Sequence, residues 1–211
     1  MKIQSKEVLL DAIDADLAWR KKELSYLLSN VNPKLPNYKT HLRSGIVMLY
    51  SHWEGFVKNV CEYYLSYVKY LKLNYNELHD CFIAVSLKYR LSLFQSTNKA
   101  TIHTQIVSFL LNELNQRASV PDENIVRTGS NLNSDILREM LTMIGIDCSD
   151  YELKANLIDS VLLKNRNSIA HGQFIELDDI EYQSLHFEIV NIMDDIRTKV
   201  SNAAVLESYK R

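Results

Sequence analysis

Apolar residues recur every three or four positions along most of this chain, which is the repeat of an amphipathic helix. The first such segment begins after Ser5, a residue that can cap a helix, and ends between Asn30 and Pro36. Pro33 and Pro36 mark the clearest linker in the sequence, so we expect residues 1–36 to form an N-terminal helical arm and linker. Such an arm either packs on the rest of the chain or pairs with a second protomer.

A second, longer segment keeps its apolar residues on one face from about Lys39 to Leu73. Gly45 and Gly55 lie inside it, and each would weaken an isolated helix by about 1 kcal/mol relative to alanine. We therefore expect another helix, or a ligand, to approach this helix closely at the two glycines. The apolar positions are Leu42, Ile46, Leu49, Trp53, Phe56, Val60, Tyr64 and Tyr67.

The rest of the chain repeats the helical pattern in five shorter segments. Their approximate ranges are 74–94, 101–114, 134–144, 149–171 and 178–200. Ser149 with Glu152, and Asp178 with Glu181, have the spacing of capping boxes, and Gly145 is placed to stop a helix. The whole sequence has only five glycines and three prolines, too few for the turns of a many-stranded protein. We predict an all-α antiparallel bundle of about six or seven helices, with residues 37–211 as one compact unit.

Composition narrows the class of protein further. A chain of 211 residues with 46% hydrophobic content can bury a substantial core, and a net charge of −2 argues against a protein that coats long nucleic acid. Cys61, Cys81 and Cys148 lie far apart, so neither a zinc site nor a disulfide framework is indicated. The first residues lack the apolar core of a secretion signal, and we expect a cytoplasmic protein without a membrane partner.

Residues 166–171, followed by Gly172, bring a guanidinium, an amide and an imidazole within two helical turns. Arginine suits phosphate oxygens, and histidine exchanges protons near neutrality, so the pair suits cleavage of a phosphodiester. Asn167 and His171 share one helix face, and the long Arg166 side chain can reach the same place. The alternative is a plain helix stop, because basic residues complement a C-terminal dipole and Gly172 suits the left-handed turn.

Arg166, Asn167 and His171 resemble the motif of the HEPN superfamily, the higher eukaryotes and prokaryotes nucleotide-binding domains. Its ribonucleases carry an arginine, a polar residue that is often asparagine, three variable residues and a histidine. The likeness runs from about Thr40 to about Lys199. Three segments, 51–58, 130–132 and 166–172, look like the bacterial branch named after the MAE_28990 and MAE_18760 proteins.

The resemblance implies a metal-independent endoribonuclease without a cofactor, acting on RNA as a homodimer. His171 would be the general acid or base, Arg166 would hold the phosphate, and Asn167 would orient His171 or contact the substrate. It also implies bacterial defence or a toxin-antitoxin system, with an antitoxin or other partner protein. Some relatives are silenced by modification of a tyrosine two residues beyond the histidine, a place that Gln173 takes here. The alternatives are a non-catalytic HEPN module that binds a nucleotide or a protein, and a purely structural subunit.

Four further groups of residues are candidates for supporting roles. Glu54 could orient Arg166 or His171 from across the bundle, or could simply pair with Lys58 on its own helix. Lys154 and Lys164 could add to a cationic pocket or face solvent. The remaining candidates each have a plainer reading: tyrosines 63, 64, 67 and 70 could stack bases but more often pack, and residues 127–131 favour a turn over an anion site.

Overall fold

The computed structural model describes residues 2–96, 98–121, 129 and 131–211, and within these ranges it holds seven α-helices and no strand. The helices are α1 Lys6–Ser29, α2 Tyr38–Leu71, α3 Asp80–Ser96, α4 Ala100–Asn112, α5 Ser134–Met143, α6 Lys164–Ala170 and α7 Asp179–Val205. Short 3-10 helices span Tyr75–Glu77 and Ser149–Lys154, and a π-helix spans Leu157–Leu163. The all-α prediction is confirmed. None of the helices described is long and apolar enough to cross a membrane.

The centre of the bundle is α2, which packs against α1, α7 and α6. A methyl group at Gly45 would lie 2.5 Å from the Tyr182 hydroxyl oxygen on α7, and one at Gly55 would lie 2.8 Å from the guanidinium of Arg20 on α1. The close approaches predicted at both glycines are therefore observed, and both come from neighbouring helices. Alanine at either position would force the facing side chain to move.

A buried ion pair within α1 is hydrogen-bonded to α2. Arg20 donates to the Asp16 carboxylate at 2.9 Å, and both side chains are less than a tenth exposed. The Arg20 guanidinium also donates to the carbonyl of His52, and Asn59 donates to Asp16, so the charges have partners on α2. The apolar face of α1 lies in the same core as α2 and α7. The boundary near residue 36 stays a prediction.

The helix ends follow the predicted caps with one exception. Ser5 caps α1, Gly145 takes a positive φ of +71° after α5, and Asp178 with Glu181 forms the capping box of α7. The box predicted at Ser149 does not form, because the Ser149 backbone N–H and hydroxyl both donate to Asp147. That segment is a 3-10 helix instead, and the path to the Arg166 motif continues through the π-helix.

Candidate active site

The predicted catalytic residues lie on α6 and at its end. The π-helix Leu157–Leu163 leads directly into α6, and wide helical turns of this kind often occur at functional sites. Gly172 has a φ of +72°, its N–H donates to the Ile169 carbonyl at 3.0 Å, and the N–H of Gln173 donates to the Ser168 carbonyl at 2.8 Å. These two bonds form the glycine stop that the sequence predicts. The stop leaves His171 as the C-cap residue directly after α6, next to solvent.

Arg166 is held from two sides. Its guanidinium carbon lies 4.5 Å from the centroid of the Tyr50 ring on α2, and Nη1 donates to the Asn167 side-chain oxygen at 2.7 Å. The Arg166 side chain is half-buried, and no carboxylate in the described part of the chain pairs with it. A cation that is positioned but not neutralised can accept a phosphate oxygen without first losing a partner.

Asn167 links the motif to the segment that precedes α5. Its amide nitrogen donates to the side-chain oxygen of Asn131 at 3.3 Å, and the neighbouring Leu132 N–H donates to the Tyr50 hydroxyl. Arg166, Asn167, Asn131 and Tyr50 therefore form one connected group from three parts of the fold. Asn167 is bonded to Arg166 here, and its contact with His171 is limited to its backbone carbonyl, which accepts from the His171 N–H at 3.0 Å.

Tyr50 is fully buried beneath the arginine. Burial raises the pKa of Tyr50 to about 12, and the negative charge of Glu54 acts in the same direction, while Arg166 and the Leu132 N–H oppose them. The phenol is therefore neutral at physiological pH and presents an intact ring face to the guanidinium. Such a contact is worth roughly 0.5 to 2 kcal/mol, depending on how far it is desolvated.

The structure places Glu54 one turn along α2 from Tyr50, where its charge acts on the phenol. One carboxylate oxygen of Glu54 is buried and has no hydrogen-bond partner among the described residues. The alternative pairing with Lys58 is not formed, because Lys58 lies 3.9 Å from Glu62 instead. Glu54 and Arg166 therefore both lie close enough to Tyr50 for their charges to act on its phenol. A direct supporting role for Glu54 stays a prediction.

His171 has an exposed ring. Within the described ranges the imidazole makes no hydrogen bond and no ion pair, so both ring nitrogens are open to a substrate or to a second protomer. An exposed imidazole can exchange a proton with a substrate hydroxyl, whereas a ring sealed in the core could not.

The other candidates divide by burial and pairing. Lys154 pairs with Glu188 at 2.6 Å, which leaves it occupied, while Lys164 is exposed. Tyr64 and Tyr67 are buried in the core and cannot stack on bases, whereas Tyr70 is 46% exposed. Of the polar run 127–131, the structure describes only Gly129 and Asn131; Arg127, Thr128 and Ser130 lie outside the described residues.

Sequence reasoning missed Tyr50 and Arg43. Tyr50 lies four residues before Glu54 on the same helix face, so its position relative to that carboxylate could have been read from the spacing. Arg43 donates from Nη1 to the carbonyl of Gln173 at 2.8 Å, and no feature of the sequence connects two residues so far apart. The contact of Tyr50 with Arg166 and that of Arg43 with Gln173 both join residues far apart in the sequence, so helical periodicity does not predict them.

The fold and the site together define an all-α module with an arginine, asparagine and histidine motif at the end of a short helix. The chain belongs to the RiboL-PSP-HEPN family, which it matches over residues 15–202. Membership of the HEPN superfamily is thus confirmed. The narrower placement in the bacterial branch, suggested by residues 51–58, 130–132 and 166–172, stays a prediction. No curated protein and no solved structure matches the chain.

Proposed function

We propose that this protein is an endoribonuclease of the HEPN type. The observation that carries the proposal is an Arg166 guanidinium that is fixed against Tyr50 without a carboxylate partner in the described ranges, on the same short helical motif that ends in the exposed ring of His171. HEPN family membership supports it, since ribonucleases are common among HEPN domains. RNA is the substrate because the chemistry needs a ribose 2′-hydroxyl beside the phosphate.

In the proposed reaction an imidazole removes the proton of the 2′-hydroxyl, and the 2′-oxygen forms a bond to the adjacent phosphorus. The bond from phosphorus to the 5′-oxygen of the next nucleotide breaks, and a second acid protonates the leaving oxygen. The products are a 2′,3′-cyclic phosphate and a 5′-hydroxyl. Arg166 would bind the phosphate oxygens and stabilise the charge that builds on them. Asn167, bonded to Arg166, would set the direction of the guanidinium.

The reaction needs an acid and a base, and the motif supplies one imidazole per chain. We propose that two copies of the chain bring two His171 rings to one cleft as a homodimer. The exposure of the ring and its lack of a partner in the described structure support this arrangement. A variant that is monomeric in light scattering and still cleaves RNA at the normal rate would contradict it.

The biological setting that we propose is bacterial defence or a toxin-antitoxin system in the cytoplasm, in which a partner protein restrains the nuclease. The support is the HEPN family membership. Co-expression with the product of the neighbouring gene tests it, because an antitoxin should relieve the growth arrest that the nuclease causes alone.

The nuclease proposal predicts that His171→Ala abolishes cleavage of labelled single-stranded RNA in EDTA. Positioned acid or base chemistry contributes about 10² to 10⁴ in rate, so the loss should be at least a hundredfold. Gel analysis with detection of the cyclic phosphate end measures it. His103→Ala on α4 is the matched control and should keep full activity. Cleavage that persists in His171→Ala, or that requires a divalent metal, would refute the mechanism.

A non-catalytic binding module is the second candidate, and one observation favours it. General bases are usually oriented by a third group, and no described side chain bonds the His171 ring. The binding module would be supported over the nuclease by two results together. RNA would stay intact with both wild type and His171→Ala in the cleavage assay, and the protein would bind RNA or a nucleotide tightly.

A further inference from the structure

One stripe of α2 faces the motif and continues beyond it. Arg166 lies over Tyr50, Ile169 packs nearer the start of α2, and the Gln173 carbonyl accepts from Arg43. Residue numbers on α2 fall as those of the motif rise, so the two segments run antiparallel. From Tyr50 to Arg43 the stripe covers about 10 Å along the helix axis.

Two cavities follow this stripe and meet at Arg43. The first, of about 410 Å³, lies between α2 and Ile169 and is lined by Arg43, Ser44, Val47 and Met48. Its volume falls within the range of roughly 300 to 1,000 Å³ that is usual for small-ligand sites. The second, of about 160 Å³, lies between the start of α2 and the turn after the motif. Arg43 lines both cavities and Ile169, from within the motif, lines the first, so together they define a groove beside the motif.

Phe174 lies in the second cavity of this groove. It is 78% exposed, three residues after His171, and lines the second cavity with Tyr38, Lys39 and Arg43. A phenylalanine exposed to this degree contributes little to folding. Exposed aromatic rings beside cations stack well on unpaired bases, and each such stack is worth roughly 1 to 3 kcal/mol.

The charges of the groove fit a phosphate backbone. Lys39 is exposed and has no carboxylate partner within the described ranges, and Arg43 uses one donor on the Gln173 carbonyl, which leaves other donors open. Among the described residues, the lining of the first cavity holds Arg43 and no carboxylate, whereas Glu176 and Asp178 line the second cavity together with Lys39 and Arg43. The Asp178 carboxylate accepts from the start of α7. The cationic part of the groove is therefore the first cavity, next to the motif, and a cation there favours a phosphate-bearing strand over an apolar partner.

We propose that this groove binds the single-stranded RNA next to the scissile phosphate, with Arg43 on a flanking phosphate and Phe174 stacked on an unpaired base. The inference rests on the proposed nuclease function and names where its substrate lies. Double-stranded RNA does not fit this role, because its bases are already stacked on one another.

The test is RNA affinity of the full-length chain in a His171→Ala background, which prevents cleavage. Fluorescence anisotropy with a labelled single-stranded oligonucleotide should show about tenfold weaker binding for Phe174→Ala, the order expected for one lost stack. Phe174→Trp should restore affinity, because it keeps a ring face. Arg43→Gln should reduce the slope of log affinity against log salt by about 0.7, as for one single-strand phosphate.

Tyr70→Ala is the matched control. Tyr70 is also exposed, also lies near lysines, and is about 40 Å from Arg43 along α2. It should leave affinity unchanged. Equal effects of Phe174→Ala and Tyr70→Ala, equal losses with duplex RNA, or the absence of measurable RNA binding would overturn the proposal. A change of oligomeric state on Phe174→Ala with unchanged RNA affinity would also overturn it and would assign Phe174 to a protein interface.

The two proposals fail in different ways. If the wild type leaves RNA intact in EDTA but Phe174→Ala weakens binding and Phe174→Trp restores it, the groove stands and the nuclease falls. If the wild type cleaves RNA and Phe174→Ala leaves both KM and affinity unchanged, the nuclease stands and the groove falls.

Discussion

Two arginines in this protein lie against aromatic rings at almost the same distance and serve different ends. Arg20 lies 4.6 Å from the centroid of the Trp19 ring, and Arg166 lies 4.5 Å from that of Tyr50. Arg20 is buried and bonded to the Asp16 carboxylate, whereas Arg166 is half-buried and bonded to the neutral side chain of Asn167. Both arginines contact an aromatic ring, and they differ in whether a carboxylate compensates the charge of the guanidinium.

The physical reason is the cost of an unpaired charge. A guanidinium taken out of water needs a counter-ion, and removal of one partner from a buried pair costs about 3 to 5 kcal/mol. A guanidinium left partly in water needs no counter-ion and keeps its field available to an anionic ligand. The comparison thus assigns Arg20 to the stability of the fold and supports the proposal that Arg166 binds a phosphate.

Replacing each arginine singly by methionine should give the largest effects and tests this comparison most strongly. Arg20→Met leaves Asp16 as an uncompensated buried charge and should lower the free energy of unfolding by about 3 to 5 kcal/mol. Arg166→Met should change stability by less than about 1 kcal/mol but reduce RNA cleavage by roughly 10² to 10³, the usual effect of losing one charge-stabilising donor. Urea unfolding and single-turnover cleavage, each on both variants, measure the contrast.

The double variant Asp16→Leu with Arg20→Met is the control for the buried pair. It removes both charges and should recover much of the lost stability, because no uncompensated charge remains. Equal loss of stability in Arg20→Met and Arg166→Met would break the comparison, as would full cleavage activity in Arg166→Met.

Much of the fold could be predicted from spacing, because the helical repeat and the helix stops are local properties. The long helix was expected at about 39–73 and is observed at Tyr38–Leu71, and the glycine contacts at Gly45 and Gly55 follow from helix energetics. The Ser149 cap was wrong because Asp147 competes for the same N–H, a choice between two local partners that the pattern does not decide.

The candidate site was predictable only in part. Residues 166–171 carry their own chemistry, so Arg166, Asn167 and His171 stand out in the sequence. Tyr50 does not stand out, and Asn131 does so only as part of the segments 127–131 and 130–132, because both meet the motif through tertiary packing of α2 and of the segment before α5. The π-helix that leads into α6 was also not expected, since its apolar pattern is close to that of an ordinary helix.

Substitutions of Tyr50 test whether its ring positions the Arg166 guanidinium for activity. Tyr50→Leu removes the ring beneath the guanidinium and should lower kcat/KM by up to about thirtyfold, which corresponds to a desolvated cation and ring contact of about 2 kcal/mol. Tyr50→Phe keeps the ring and should lose much less activity. It should instead lose about 1 to 3 kcal/mol of stability, because the buried Leu132 N–H loses its acceptor.

The two substitutions separate positioning from folding when cleavage is measured well below the unfolding temperature of each variant. A salt-dependent rise in KM with unchanged kcat would indicate that Tyr50 orients Arg166 for binding alone. Equal activity of the two variants would mean that the ring face does not matter, and the proposed role of Tyr50 would be wrong.

The smallest effect is expected for His52, which contacts Arg20 and should make the free energy of unfolding depend on pH. Burial lowers the pKa of the His52 imidazole, and the Arg20 charge acts in the same direction, while Glu23 opposes them. His52 Nε2 lies 3.0 Å from a Glu23 oxygen, but the geometry is not that of a hydrogen bond, so the opposition is incomplete. The unfolded chain, with an ordinary histidine pKa of about 6.5, then binds protons more readily than the folded chain.

Stability should therefore be complete above about pH 6.5 and fall progressively as the pH drops below it. His52→Gln should reduce this slope between pH 8 and pH 5.5, a window in which most carboxylates stay ionised. Burial also lowers the pKa of His186 on α7, so His186→Gln should remove a separate share of the slope. Urea unfolding across the window measures both variants. If His52→Gln leaves the slope unchanged, burial does not lower the proton affinity of the His52 ring, and this prediction is wrong.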